Sequence, residues 1–196
     1  VLARFSCISD ADHLLAPSLP AEPTGSCRPR PHYPSRACSS CPRGVAAQPA
    51  PLPADFKARP NTDRLAALTS STIDAKVGCI DYQFSAKVRA VFTPTESWVR
   101  YPATATAALL KHEQTHFDLT EYHARKLRQK LSLVKLDCEH LQPAFNNLTK
   151  VAFLEWQREE ARYDQDTNHG LNTPRQLFWE QQVQQKLQQL EAFAAK

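Results

Sequence analysis

The chain has 196 residues, a formal charge of +4, 42% hydrophobic residues, six cysteines and no methionine. That length accommodates one domain with a sizeable core plus some unpacked sequence. The positive charge is spread along the chain with no basic run interleaved with aromatics, which argues against nucleic acid as a partner, and no apolar run approaches the ~20 residues needed to cross a bilayer. A start at Val1 without any Met points to a fragment or a processed form, in which a signal peptide would no longer be visible.

Ten of the fifteen prolines fall in the first 53 residues, together with Gly25, Gly44 and many Ser and Ala. With no helical or alternating period, residues 1–50 read as an extended or disordered linker, and residues 51–196 as the folded domain. Cys7, Cys27, Cys38 and Cys41 lie in the linker. Cys38-Ser-Ser-Cys41 lacks both the second pair of a zinc knuckle and the βαβ surroundings of a redox motif.

Alternating runs follow at Cys79–Phe84 and Ala86–Phe92, predicting two half-buried strands with a break near Ser85. Thr69–Ile73 is a further candidate strand, Thr93–Glu96 a turn, and Ser97–Val99 a short extended piece. After Pro102 the period becomes helical. One helix is expected from about Thr104 to Leu133, capped by a threonine. A second starts at Pro143 and runs to about Arg162, with Phe145, Leu148, Val151, Ala152 and Trp156 as its buried stripe. A third opens at Thr173-Pro174-Arg175-Gln176, which has the form of a capping box, and buries Trp179, Val183, Leu187 and Leu190. Strands followed by helices predict an α+β domain: a small antiparallel sheet, then a helical part.

The first of these helices carries His112-Glu113-Gln114-Thr115-His116. Histidines four apart share one helix face and can take two corners of a tetrahedral zinc. Glu113, beside the first histidine, can reach a water activated by the metal. A catalytic zinc needs a third protein ligand. Leu119 and Tyr122 stand where an extended motif of one protease class would need Gly and His. Glu155, Glu159 and Glu160 on the next helix are alternatives, although carboxylates there are commonly just solvated. His169 is the better candidate, because Gly170 lets the chain turn tightly behind it and neighbouring Asp and Thr residues can orient it.

The blocks HEQTHFDLTEYHARKL and YDQDTNHGLNTPRQ, with ADFKARP and FTPTESWV upstream, resemble the bacterial domain-of-unknown-function 922 family, described as predicted secreted zinc-dependent proteases. The resemblance runs from about Leu52 to the C-terminus. It departs at Ala54 and in lacking a tryptophan nearby. It places the family's Thr-x-His-Gly block on Thr167, Asn168, His169 and Gly170, and implies a secreted or periplasmic zinc protease with a peptide or protein substrate.

These features predict a zinc peptidase with His112, His116 and His169 as ligands to Zn2+ and Glu113 as general base. Tyr163, Tyr122 and His123 are candidate oxyanion donors, and Asp118 a candidate support for a ligand histidine. The rival expectations are a non-catalytic zinc-stabilised binding or structural domain of the cell envelope, closed by a fourth ligand such as Asp118 or Asp166, and a metal-free helical interaction domain. Cys79 and Cys138 fit either one disulfide in an oxidising compartment or two buried thiols.

Overall fold

The computed structural model describes residues 5–10, 51–62, 64–134, 136, 138–139 and 141–195. The linker reading of residues 1–50 and the Cys38–Cys41 spacing therefore fall almost wholly outside the described residues. The one described stretch there, Phe5–Asp10, is a strand, β1.

A long strand, β2 (Leu65–Ile80), turns back into β3 (Gln83–Phe92), and a two-residue strand, β4 (Trp98–Val99), follows. All pairings are antiparallel. Leu68 pairs with Ile8 on one edge and with Trp98 on the other, and Ser71 pairs with Phe5 and Phe92 in the same way. So β1 lies along one edge of β2, while β3 and β4 share the opposite edge. Thr69–Ile73 is thus the middle of one sixteen-residue strand rather than a strand of its own.

The hairpin turns at Asp81 and Tyr82, with φ of 50° and 59°, and not at Ser85, which pairs with Gly78 inside the ladder. Two successive positive-φ residues match the twist of a two-residue hairpin. No glycine marks the turn, which is why alternation alone misplaced it. Cys79, at the hairpin end, is disulfide-bonded to Cys138 across 59 residues of sequence, in the connection that follows the first helix.

That helix, α1 (Ala107–Leu133), is capped by Thr106, whose side chain accepts from the Leu109 N–H at 3.1 Å. It is followed by α2 (Leu141–Thr167) and α3 (Thr173–Gln189). The cap of α3 is Asn172, which accepts from the Arg175 N–H, rather than Thr173. Along α2 the buried row is Leu141, Phe145, Thr149, Ala152, Trp156, Glu160, Tyr163 and Thr167; Val151, expected inside, is exposed.

Helix α1 is sandwiched. On one side Ala124, Leu127 and Leu131 join Ile73 and Val88 of the sheet and Phe145, Ala152 and Trp156 of α2. On another, Leu119 joins Tyr163 and the Trp179, Val183 and Leu187 stripe of α3. Each large apolar side chain fully buried in these clusters contributes about 1.5–3 kcal/mol. N-terminal to the residues it gives these clusters, α1 buries an unbroken polar run, His112 to His116. Burying polar groups is costly unless each finds a partner, so the partners define the site.

Candidate metal centre

His112 and His116 stack one turn apart on α1, and both are fully buried. Their Nε2 atoms are 3.2 Å apart. Asp164, one turn beyond Glu160 on α2, places Oδ1 3.1 Å from His116 Nε2 and 3.3 Å from His112 Nε2. Two donors on one tetrahedral zinc with bonds of about 2.0–2.1 Å stand roughly 3.3–3.4 Å apart. The three observed separations are close to that edge, and these residues form a trio able to hold a metal ion.

The far side of each imidazole decides which way its lone pair points. His116 Nδ1 donates to Glu160 Oε2 at 2.6 Å, and Glu160 Oε1 accepts from Trp156 Nε1 at 2.9 Å. His112 Nδ1 lies 2.8 Å from the Tyr163 hydroxyl and 3.1 Å from Gln176 Oε1, and the hydroxyl donates on to that same oxygen at 2.9 Å. Gln176 Nε2 donates to Glu180 Oε1, which sets the amide orientation. Neutral imidazoles that give away Nδ1–H turn the Nε2 lone pair inward. Two such lone pairs then meet a carboxylate oxygen, an arrangement that repels itself and suits a cation.

Without a cation, the Asp164 carboxylate needs positive charge on the rings themselves: burial alone would push its carboxyl up, but His112 and His116, when they carry protons toward it, outweigh burial and hold it well below the usual range. A metal ion would supply that charge with both Nε2 lone pairs unprotonated. Burial pushes the Tyr163 phenol well above its ordinary value, so it remains a neutral relay, and its ring stacks on His112 with centroids 4.8 Å apart. Glu113 is also buried, and its Oε2 accepts from Thr69 Oγ1 of β2 at 2.5 Å.

The connection between α2 and α3 closes over the trio. Asn168, His169 and Gly170 have φ of 48°, 53° and 82°. The turn is held by His169 N–H donating to Asp164 O at 2.9 Å and Asn172 N–H to Thr167 O at 2.8 Å. A Cβ on Gly170 would stand 3.1–3.2 Å from the His112 side chain, so glycine here permits both the positive φ and the close approach. His169 Nδ1 lies 3.4 Å from Asp164 Oδ1, is buried, and has no hydrogen-bond partner.

The sequence model of a family described as "Bacterial protein of unknown function (DUF922)" matches residues 57–170, more than half of the chain. The chain belongs to this family. No curated protein and no solved structure matches it. The matched segment of the DUF922 domain contains His112, His116 and Asp164 together with His169 and stops at Gly170, so Gln176 and the rest of α3 lie beyond it.

Within the DUF922 domain, the structure brings together His112, His116 and Glu113 as expected and adds Asp164, which takes the third place in the trio. His169 sits against Asp164 rather than within the trio. Glu155 and Glu159 are elsewhere: Glu155 is bonded to Lys126 and Lys130, and Glu159 to His123 and Lys186. Asp118 accepts from Gln114 and Gln184, so the far-side contacts of His112 and His116 come instead from Glu160, Tyr163 and Gln176. Asp166 accepts from Trp179 and Arg175. Two of the three expected oxyanion donors are engaged elsewhere. Tyr163 is used behind His112, His123 Nε2 is on Glu159, and Tyr122 lies under the Lys126 and Lys186 ammonium groups.

Local pattern gave Asp164, Glu160 and Gln176 other roles. Asp164 read as a loop neighbour that orients His169 and Glu160 as an alternative ligand or a solvated carboxylate, while Gln176 fitted a helix cap. The one available signal was the spacing of Trp156, Glu160, Tyr163 and Asp164, which lines one side of α2.

Proposed function

We propose that the DUF922 domain is a zinc-dependent peptidase. The observation that carries this reading is the convergence of His112 Nε2, His116 Nε2 and Asp164 Oδ1 within 3.1–3.3 Å of one another, on the helix that also buries Glu113. His112, His116 and Asp164 would hold the ion, which when bound supplies a Lewis acid that acidifies a water and polarises a carbonyl. Glu113 takes the proton from the attacking water and passes it to the leaving amine. Thr69 fixes one oxygen of that carboxylate, and Glu160, Tyr163 and Gln176 fix the two imidazoles. Asp164 and His169 are the members with solvent exposure, 14% and 32% at the side chain, so substrate approaches from their side.

The disulfide between Cys79 and Cys138 supports a secreted or periplasmic location, where such bonds persist. Among the described residues no helix is long and apolar enough to cross a membrane. A second reading, a zinc-stabilised envelope domain without turnover, is favoured by the complete burial of both histidines.

Elemental analysis should find about one zinc per chain in the wild type and none in His112→Ala or Asp164→Ala. Glu113→Gln should keep the zinc while cleavage of fluorescent casein falls by about a hundredfold or more. Zinc binding with no cleavage by the wild type would favour the second reading. Absence of zinc after metal-replete preparation would end both.

A further inference from the structure

We propose that residues 5–10 are a displaceable occupant of a peptide-binding edge: β1 holds, as an added strand, the place that an extended substrate peptide takes. The proposal rests on the peptidase reading above and concerns what that site binds and how it is closed. A strand edge presents a row of N–H and C=O groups with which an extended chain can pair. The edge of β2 opposite β3 and β4 is taken from Leu65 to Ser71 by β1, with Cys7 opposite Thr69 and Phe5 opposite Ser71. This stretch of β2 is tied to the helix that carries His112, Glu113 and His116. Thr69 Oγ1 donates to Glu113 Oε2 at 2.5 Å, and Ser71 Oγ lies 2.7 Å from Thr120 Oγ1, one turn beyond His116. β1 also borders α2, the helix that brings Asp164. Its backbone therefore lies along the part of β2 that is pinned to Glu113, beside the two helices that form the trio.

β1 is held differently from the rest of the sheet. It reaches β2 only through residues 11–64, a loop whose closure costs entropy that the tight hairpin of β2 and β3 does not meet. The family match begins at residue 57, so β1 lies outside the segment that defines the domain. The strands β2, β3 and β4 and both helices that supply the trio lie inside it. β1 is therefore the strand that can leave without removing any part of the matched domain. An edge of this kind binds through main-chain pairing, so the peptide it admits is extended and free of proline where it pairs. With β1 in place the enzyme is closed to such a peptide. Once β1 is displaced, a substrate lies along Thr69 and is brought level with Glu113.

The test compares the full wild-type chain with the full chain carrying Ile8→Pro and Ser9→Pro together. Opposed residues of an antiparallel pair alternate between bonded and non-bonded, so one of these adjacent prolines removes a ladder bond whatever the phase. The probe is a fluorescein-labelled peptide of residues 3–12 carrying Cys7→Ser, read by polarisation. It should bind the variant roughly tenfold or more tighter than wild type, the factor expected when the edge is open in about a tenth of wild-type molecules. Casein cleavage should rise in the same direction. Equal peptide affinity in the two chains would overturn the proposal and leave the zinc reading intact. Loss of helical circular dichroism from the variant would overturn it too, since β1 would then be an integral strand rather than a displaceable one. An active wild type that cleaves as fast as the variant would also overturn it, because substrate would then reach the site by another route. Tighter peptide binding by the variant with no zinc in either chain would instead defeat the zinc reading and uphold the displaceable strand.

Discussion

Helix α2 carries two adjacent glutamates, and each receives a histidine from α1, yet the two pairs have different consequences. Glu159 meets His123 Nε2 at 2.8 Å and is also bonded to the Lys186 ammonium of α3. It is a three-helix tie at the edge of the core. Burial would push the Glu159 carboxyl up, but His123 and Lys186 outweigh burial and lower it to about 2. Glu160 meets His116 at Nδ1 instead, and its other oxygen takes the Trp156 N–H. Because His116 gives away Nδ1, its Nε2 is left to face His112 and Asp164. The same residue types thus make a structural tie or a contact that orients a histidine toward the trio. What differs is which ring nitrogen the carboxylate engages and what the other nitrogen faces.

The largest contrast should come from the histidines. His116→Ala is expected to lose zinc altogether in elemental analysis, while His123→Ala keeps about one zinc per chain and loses only stability. Equal zinc content in both variants would erase the distinction. The glutamates should differ less. Competition with a fluorescent chelator should show Glu160→Gln weakening zinc by about 10–100-fold, the usual cost of removing a partner behind a ligand histidine, with Glu159→Gln near wild type.

The smallest effect is the pH dependence of the tie. The folded-state value of Glu159 lies near 2, below its ordinary 4.5. Its stabilisation is therefore complete above pH 4.5 and is lost as pH falls through about 2. Urea midpoints of wild type and Glu159→Gln should differ at pH 7 by on the order of 1 kcal/mol after solvent screening. That gap should close between pH 4.5 and 2, and a gap independent of pH would mean that Glu159 acts by packing alone.

Local pattern was enough to determine much of this protein. The α+β order, the threonine cap of α1, the Trp179, Val183 and Leu187 face of α3, and the placement of His112, Glu113 and His116 on one helix all follow from periods of 2 and 3.6 and from capping chemistry. Those signals act over a few residues, so they can be read in a chain with no tertiary information. The hairpin turn at Asp81–Tyr82 resisted because neither residue announces a positive φ.

The completion of the site belongs to the tertiary structure. Glu155, Glu159, Glu160 and Asp164 are four carboxylates along one helix, and nothing local separates a solvated one from a buried one. Docking α2 against α1 leaves Glu155 on Lys126 and Lys130, ties Glu159 to His123, sets Glu160 behind His116 and aims Asp164 between His112 and His116. In the same way α3 turns Gln176 from an expected cap into the support of His112. A carboxylate's role depends on its desolvation and on charges that arrive from 40 or more residues away in the chain. Only the packed fold supplies those.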